Sequence, residues 1–275
     1  MNMLTYKAGK TPLIKVNEFC EKFGLPNLRV KDESHNPFGT WKDRRSEAIV
    51  KKAQKELADK ICLITSGNAG FSLAKFAERS RIKVVSVIST SLASSIKHLL
   101  VKVCSQLIEK DLSKNILKPE EVIALAREDD QEVIYDATNG FHEAYESIIK
   151  EIKKTAPEYI ICPVGSGEAF VGLFFGLKKA KLKTKLIGVT VKASPSFADK
   201  LHTPWTPYSA KMKSMLEMGH RIISLKESEV KEAFKYAKKF IDCEPSSAVV
   251  LGVFSKIKFK PTDKIILINS GKGLR

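Results

Sequence analysis

The chain has 275 residues, 43% of them hydrophobic, which is enough to bury a sizeable core as one large domain or as two lobes. No apolar run approaches the roughly 20 residues that a membrane-spanning helix requires, and no signal-peptide pattern opens the chain, so we expect a cytoplasmic protein. The net charge of +16 at pH 7 would suit nucleic-acid binding. However, lysines interleaved with glutamates are also typical of solvated helix faces, and the sequence contains no basic motif rich in aromatic residues. We therefore expect no dedicated nucleic-acid partner.

Short apolar segments alternate with segments of helical periodicity. The predicted strands are Leu28–Lys31, Ile61–Thr65, Lys83–Ile88, Tyr159–Pro163, Lys185–Thr190 and Lys264–Asn269. The predicted helices are Lys42–Ala58, Gly70–Arg79, Ala144–Lys154, Ala169–Lys179 and Glu227–Ile241. Short apolar strands separated by helices are typical of parallel sheets covered by helices, so we predict an α/β fold.

The segment HNPFGTWKDR, residues 35–44, combines a turn with the start of a predicted helix. Its Asn-Pro pair and its glycine mark the turn, and helical periodicity begins at about Trp41. Lys42 therefore lies in the first turn of a helix, where loss of solvation would favour a neutral amine able to bond covalently to a carbonyl carbon. A solvated lysine at a helix start is the alternative.

Two further segments run from an apolar strand through small residues into a helix. In LITSGNAGFSLAKFA, residues 63–77, the turn contains Asn68; in IICPVGSGEAFVGLFFG, residues 160–176, it is GSGEA. Backbone N–H groups at such a helix start can bind an anion, a phosphate included. The glycine spacing of GSGEA matches neither the phosphate loop of nucleotide hydrolases nor the dinucleotide-binding fingerprint. An ordinary capped turn is the alternative at both places.

The last segment, ILINSGKGLR, is a predicted strand followed by a hydroxyl-glycine turn. Ser270 follows the carboxyl end of this strand, where ligands lie in open α/β sheets. A turn that merely ends the strand is the alternative, because single motifs of this kind arise from packing about as often as from function.

The five cysteines are too far apart in the sequence to form metal-ligand pairs. Most lie in apolar segments, as Cys162 does in YIICPV. Buried free thiols in a reducing compartment are the natural interpretation, and we expect no metal site.

Together these motifs resemble the fold-type II enzymes that depend on pyridoxal 5′-phosphate (PLP), the tryptophan synthase β superfamily, and within it threonine synthase and its dehydratase relatives. The resemblance covers nearly the whole chain in collinear order: TPLIKV from Thr11, KDESHNPFGTWKDR from Lys31, TSGNAG from Thr65, PVGSGE from Pro163, CEPSSA from Cys243 and NSGKGL from Asn269. The EPSSA element favours the threonine synthase and dehydratase branch over the cysteine synthases.

The resemblance implies a role for each matching position. Lys42 resembles the lysine that binds PLP covalently and acts as the catalytic base, Asn68 the asparagine that hydrogen-bonds the phenolic oxygen of PLP, and Ser270 the neutral hydroxyl partner of the pyridine nitrogen. The loop that binds the cofactor phosphate corresponds to Gly165, Ser166, Gly167, Glu168 and Ala169. The loop that binds the substrate carboxylate corresponds to Thr65, Ser66, Gly67, Asn68 and Ala69.

Two positions depart from the family pattern. Glu168 stands in the phosphate loop where the family has glycine or another small residue, and we expect its carboxylate to point out of the loop because it would repel a phosphate. Threonine synthases tend to carry an arginine for the substrate phosphate in the stretch that corresponds to NGFHEAYE. This chain has Phe141 at the arginine position, and Ala144 replaces a glycine.

The resemblance further implies a two-lobed protein that assembles as a homodimer. Residues 1–40 and 132–275 would form the large cofactor-binding lobe, and residues 41–131 a small lobe carrying the TSGNAG turn. The predicted activity is that of a lyase of amino-acid biosynthesis, with the conversion of phosphohomoserine to threonine and phosphate as the leading interpretation. Dehydration of threonine or serine, cysteine synthase-type β-replacement on an O-activated serine, and a catalytically weak relative that binds PLP or an amino acid remain open.

Overall fold

The computed structural model describes residues 6–113, 116–192, 196–201, 203 and 205–274. The chain divides into two compact units: the first is built on Lys42–Phe141 with short pieces from both chain ends, and the second comprises Gly9–Trp41 and His142–Gly273. The predicted small lobe and the first unit share residues 42–131. The first unit continues to Phe141 because a strand at Ile134–Asp136 pairs with its sheet. Residues 1–5, 193–195, 202, 204 and 275 of the predicted large lobe, and residues 114–115 of the predicted small lobe, lie outside the described residues.

The strands and helices alternate along most of the chain. The strands are β1 Leu13–Ile14, β2 Leu28–Asp32, β3 Lys60–Ile64, β4 Lys83–Ser89, β5 Gln106–Lys110, β6 Ile134–Asp136, β7 Tyr159–Pro163, β8 Lys185–Val191, β9 Arg221–Leu225 and β10 Ile265–Asn269. The α-helices are α1 Asn17–Phe23, α2 Lys42–Lys55, α3 Asn68–Ala77, α4 Ser94–Val101, α5 Pro119–Ala126, α6 Glu146–Ile152, α7 Glu168–Lys179, α8 Ser209–Glu217, α9 Glu227–Ala237 and α10 Pro245–Ala248. Short 3-10 helices span Glu33–His35, His142–Tyr145, Lys153–Thr155, Asp199–Leu201 and Val249–Ser255.

The first unit contains a four-stranded sheet in the order β5-β4-β3-β6, and its strand pairs are parallel. Apolar side chains of β3, β4 and α5 form a core against this sheet, with Cys62, Val85 and Val122 buried. Because β3 ends at Ile64, the TSGNAG turn begins at the carboxyl edge of the sheet.

The second unit contains a six-stranded sheet in the order β1-β2-β10-β7-β8-β9. The short strand β1 is antiparallel to β2, and the other pairs are parallel. Alternate residues of β10 belong to two different apolar clusters. Ile265 and Leu267 pack in one cluster, and Ile266 and Ile268 pack in the other. Successive strand residues face opposite sides of a sheet, so helices cover both faces. The predicted α/β fold with helix-covered parallel sheets is confirmed.

The parallel strands of the second unit end at one edge of the sheet. At that edge β7 ends at Pro163 and β10 ends at Asn269. The GSGEA loop and the turn of Ser270 follow these two strands directly, so the topology of this unit places both motifs at the edge where open parallel sheets bind ligands.

No helix of the described chain is long and apolar enough to cross a membrane. Among the same residues, no group of three or more His, Cys, Asp and Glu side chains is placed to hold a metal ion. The five cysteines are free thiols; Cys104 is half-buried and the others are buried. Burial raises the pKa of the Cys62 thiol to about 12, so this thiol is an inert core residue.

Candidate functional site

Lys42 is the first residue of α2 and is half-buried. The residue before it, Trp41, donates a backbone hydrogen bond to the carbonyl oxygen of Ser270 at 2.9 Å, and Thr40 forms a β-bridge with Gly271. The backbone that leads into α2 is therefore anchored to the C-terminal turn of the second unit. Lys42 follows that anchor directly in the chain.

Helix α2 is joined to α3 by a buried polar contact within the first unit. The hydroxyl of Ser72 donates to the carboxylate of Asp43 at 2.6 Å and lies 2.8 Å from the hydroxyl of Ser46. Asp43 is fully buried, and a buried carboxylate is costly unless it is hydrogen-bonded. This contact therefore fixes the helix that begins at Lys42 against the helix that begins at Asn68.

The TSGNAG segment forms a tight turn whose shape depends on Thr65. The Thr65 hydroxyl oxygen accepts hydrogen bonds from the N–H groups of Gly67 and Gly70, both at 3.0 Å. Gly67 has a φ of +128°, and a Cβ at this position would lie 2.9 Å from Ile96. Because such a backbone conformation favours glycine, Thr65 and Gly67 together shape the turn that leads from β3 into α3.

Backbone donors remain available at this turn. In residues 65–69, the N–H groups of Ser66 and Ala69 donate to no acceptor within the described chain. Ser66 is exposed, and Asn68 is buried at the first position of α3. A helix start with free donors attracts negative charge, so the turn can bind a carboxylate, with Thr65 shaping the backbone.

The GSGEA loop presents a longer row of backbone donors. The N–H group of Val164 donates to the carbonyl oxygen of Val189 at 2.8 Å, which is, within the described residues, the last hydrogen bond between the chain after β7 and strand β8. The N–H groups of the next three residues and of Ala169 have no acceptor among the residues that the structure describes. They lie at the start of α7, which is 12 residues long, so the positive end of its dipole adds to them. This arrangement fits a phosphate group.

The glycines of this loop are required by close packing. Gly167 has a φ of +85°, and a Cβ there would collide with the sulfur of Met212. A Cβ at Gly165 would lie 2.8 Å from the carbonyl oxygen of Lys200. Larger residues at these two positions would displace the loop or its neighbours, so the backbone conformation that exposes the donors depends on glycine.

Ser270 is 4% exposed and lies in a buried hydrogen-bond network. Its N–H donates to the hydroxyl oxygen of Ser247 at 2.7 Å, and the Ser247 hydroxyl donates to the amide oxygen of Asn269 at 2.6 Å. Within the described chain the Ser270 hydroxyl itself has no partner. The network therefore fixes the Ser270 backbone and leaves the hydroxyl for a ligand.

The carboxylate of Glu168 is buried with a defined partner. Its side chain is 2% exposed, and Oε1 accepts a hydrogen bond from the Tyr208 hydroxyl at 3.2 Å. Tyr208 has no counterpart among the motifs recognised in the sequence. No local pattern could have indicated it, because the two residues are 40 positions apart.

Phe141 is part of an aromatic contact in the first unit. Its ring meets that of Tyr135 edge-on at 5.9 Å between centroids, and the Lys52 ammonium lies 5.9 Å from the Phe141 centroid. The side chain is 8% exposed. The position that resembles the arginine of threonine synthases is thus an apolar packing position, unable to bind a phosphate.

Comparisons with known proteins identify the family of the chain. A family model described as "Pyridoxal-phosphate dependent enzyme" matches residues 4–271. The threonine synthase of Methanosarcina acetivorans is 29% identical over 196 residues, which cover 68% of this chain and 46% of that protein. The cysteine synthase of Flavobacterium sp. is 29% identical over 201 residues, which cover 68% of this chain and 64% of that protein. The chain thus matches about half to two thirds of the length of these relatives.

A solved structure shows the same fold. A pyridoxal 5′-phosphate-dependent aspartate racemase superimposes with a TM-score of 0.80 at 16% sequence identity, covering 96% of this chain and 91% of that one. The two-lobed fold of type II PLP enzymes expected from the motifs is therefore confirmed.

Proposed function

Because the chain belongs to the family of pyridoxal-phosphate dependent enzymes, whose cofactor is PLP, we propose that it catalyses elimination or replacement on a small amino acid with PLP bound to Lys42. The observation that carries this proposal is the row of free backbone donors of residues 165–167 and of Ala169 at the start of α7, among the residues that the structure describes. The free hydroxyl of Ser270, at the end of a neighbouring strand of the same sheet, supports it independently.

The residues present fit the polar groups of PLP. The N–H groups of residues 165–169 would bind its phosphate. Asn68 would hydrogen-bond the phenolic oxygen, and the Ser270 hydroxyl would hydrogen-bond the pyridine nitrogen. Because a hydroxyl is neutral, it would not hold that nitrogen protonated as a carboxylate does, and the ring would withdraw electrons less strongly.

Lys42 is assigned two tasks. It would hold the cofactor covalently and, once the substrate amine has replaced it there, its amine would move the proton at the substrate α-carbon. When bound, PLP supplies an electron sink for the negative charge that develops at that carbon. The donors of residues 65–69 would bind the substrate carboxylate and so orient the α-carbon for the lysine.

The substrate that the sequence supports best is phosphohomoserine, which would give threonine and phosphate. The segments NPFGTWKDR, EPSSA and NSGKGL resemble those of threonine synthases, and a curated threonine synthase is among the relatives. In this reaction the γ-phosphate leaves and water adds at the β-carbon.

Phe141 favours a second candidate, the dehydration of threonine or serine. The phosphate of a substrate is usually bound by an arginine. At the matching position this chain has Phe141, whose ring packs against Tyr135. A substrate without phosphate needs no such arginine. Cysteine synthase-type β-replacement is a third candidate, since a cysteine synthase is as similar as the threonine synthase.

A substrate panel separates these candidates. The purified holoenzyme is incubated with phosphohomoserine, threonine, serine, and O-phosphoserine or O-acetylserine plus sulfide, while phosphate, keto acid and new amino acid are followed. We expect threonine and phosphate from phosphohomoserine, with competitive inhibition by inorganic phosphate that weakens as salt rises. If threonine or serine yields keto acid while phosphohomoserine is not converted, the threonine synthase assignment is refuted. PLP binding without any turnover would support the weakly catalytic relative.

We also propose that the chain forms a homodimer, as the resemblance implies. Sedimentation velocity of the holoenzyme tests this directly: we expect a single species at twice the chain mass of 30.6 kDa, and a monomer at every concentration would refute it.

A further inference from the structure

A carboxylate lies in the loop that the proposed function assigns to the cofactor phosphate. Glu168 is the first residue of α7, it is buried, and Tyr208 donates a hydrogen bond to it. We propose that Tyr208 is a positioning residue that holds the Glu168 carboxylate away from the backbone donors of residues 165–169. The loop can then bind a phosphate despite its glutamate. This inference rests on the proposed function.

The face of α7 that carries Glu168 shows where the carboxylate lies. Gly172 and Phe175 follow Glu168 on the same helix face, since residues four and seven positions apart align. His142 covers this face: its carbonyl oxygen abuts Gly172, and its ring lies 5.4 Å from that of Phe175. The ring of Tyr208 lies 5.9 Å from that of His142. The hydroxyl that donates to Glu168 therefore belongs to a ring that packs against His142, the residue that covers this face of α7.

Residues 206–212, which we call the clamp segment, contact the loop at successive positions. The Thr206 hydroxyl donates to the carbonyl oxygen of Ser166. The Met212 sulfur lies against the Cα of Gly167, where a Cβ would collide with it. The clamp segment thus makes several contacts with the loop. Among them, the contact to the Glu168 carboxylate is made by the Tyr208 hydroxyl.

The hydrogen bond from Tyr208 matters for phosphate binding because Glu168 carries a carboxylate. A carboxylate removed from water requires hydrogen-bond donors, and the free N–H groups at the start of α7 are alternative donors that attract negative charge. A carboxylate bonded to those groups would occupy the phosphate position and repel a phosphate nearby. Without the Tyr208 hydroxyl, we expect the carboxylate to compete with the phosphate of PLP.

A comparison of two ligands tests the proposal without measuring catalysis. Apoprotein is titrated with PLP and with pyridoxal, which lacks the phosphate, and affinity is read from the quenching of fluorescence of the two tryptophans. Tyr208→Phe is expected to weaken PLP binding roughly tenfold, as loss of a hydrogen bond to a charged group predicts, and to leave pyridoxal binding unchanged. Adding Glu168→Gln to Tyr208→Phe should restore PLP binding.

A matched control removes a tyrosine hydroxyl that lies away from the loop. Tyr236→Phe removes a hydroxyl that donates to the Glu18 carbonyl at 2.9 Å, and it should leave the PLP-to-pyridoxal affinity ratio unchanged. An unaltered ratio in Tyr208→Phe would overturn the proposal. A tenfold loss of PLP affinity in Glu168→Gln alone would also overturn it, because the carboxylate would then belong to the phosphate site. Failure of the wild-type protein to bind PLP at all would instead refute the proposed function together with this inference.

Discussion

The side-chain amide of Asn269, the last residue of β10, donates a 2.7 Å hydrogen bond to the carboxylate of Asp32, the last residue of β2. The parallel register places these residues side by side, and both are buried. The Asn269 amide oxygen accepts from Ser247, whose own hydroxyl oxygen accepts from the N–H of Ser270. A buried polar network thus extends from the ends of two strands to the backbone of Ser270, whose hydroxyl we assign to the cofactor nitrogen.

Ser247→Ala should destabilise the protein. The substitution leaves the Ser270 N–H and the Asn269 amide oxygen without the bonds that Ser247 makes, which predicts a loss of about 1–3 kcal/mol in the free energy of unfolding. Urea denaturation measures this loss. In the control variant Ser255→Ala, an exposed hydroxyl bonded to the Gly252 carbonyl is removed, and we expect a change within about 0.5 kcal/mol. Equal stability of the two variants would show that the network does not fix Ser270.

Gly167→Ala should impair both the fold and cofactor binding. An alanine at a φ of +85° is strained by about 1–3 kcal/mol, and its methyl group would also displace Met212. Gly140 has a φ of +95° with nothing within 4 Å of an added Cβ, so Gly140→Ala carries the backbone strain alone. We expect both variants to be less stable than the wild type in denaturant melts and only Gly167→Ala to lose PLP affinity. Undiminished PLP affinity in Gly167→Ala would contradict the assigned phosphate loop.

The pH dependence of stability should report on an ion pair of the first unit. The ammonium group of Lys60, which is 1% exposed, lies 2.7 Å from Glu132 and 2.9 Å from Glu128. Its hydrogen bond holds the pKa of Glu132 at about 2 instead of 4.5. A lowered folded-state pKa gives stability that is complete above the unfolded value and is lost as the pH falls through the folded value.

Urea melts of the wild type and of Glu132→Gln check this sign. The stability difference between them should stay constant from neutral pH down to about 4.5 and shrink as the pH falls toward 2. The control pair Lys52–Glu56 is longer, at 3.9 Å, and both side chains are well exposed, so Glu56→Gln should change stability little at any pH. A difference for Glu132→Gln that grows in acid would contradict the assigned pair.

The strands that the sequence pattern identified and those that it missed differ in their place in the sheets. The strands β2, β3, β4, β7, β8 and β10 were predicted and are interior strands, whereas β1, β5, β6 and β9 were missed and lie at sheet edges. Interior parallel strands are buried on both faces and form continuous apolar runs. Edge strands are shorter or more polar, as Gln106–Lys110 illustrates with its partly exposed residues. The periodicity and hydropathy of the sequence therefore predict the interior strands of each sheet better than its edge strands.

The candidate site could be predicted where its chemistry is local in the sequence. The turns that follow β3, β7 and β10 each combine a strand end, small residues and a helix or chain end, and sequence alone locates them. The supporting contacts are distant: Ser247 lies 23 positions from Ser270, and Tyr208 lies 40 positions from Glu168. Such partners are brought together by tertiary packing alone, so no motif indicates them.

We propose that Lys42 binds PLP covalently. Because Lys42 begins its helix and is half-buried, Lys42→Ala should fold, with the far-ultraviolet circular dichroism spectrum and the thermal melt of the wild-type apoprotein. It should nevertheless lose the visible absorbance band of the cofactor. A matched control is Lys55→Ala, which removes the last lysine of the same helix and should keep that band.

The most direct measurement is reduction of the holoenzyme with borohydride, followed by proteolysis and mass spectrometry of the labelled peptide. Borohydride makes the bond between the cofactor and its lysine permanent, so the modified residue can be read from the peptide. We expect a single pyridoxyl adduct on Lys42. An adduct on another lysine, or an adduct formed equally well in the Lys42→Ala protein, would contradict it.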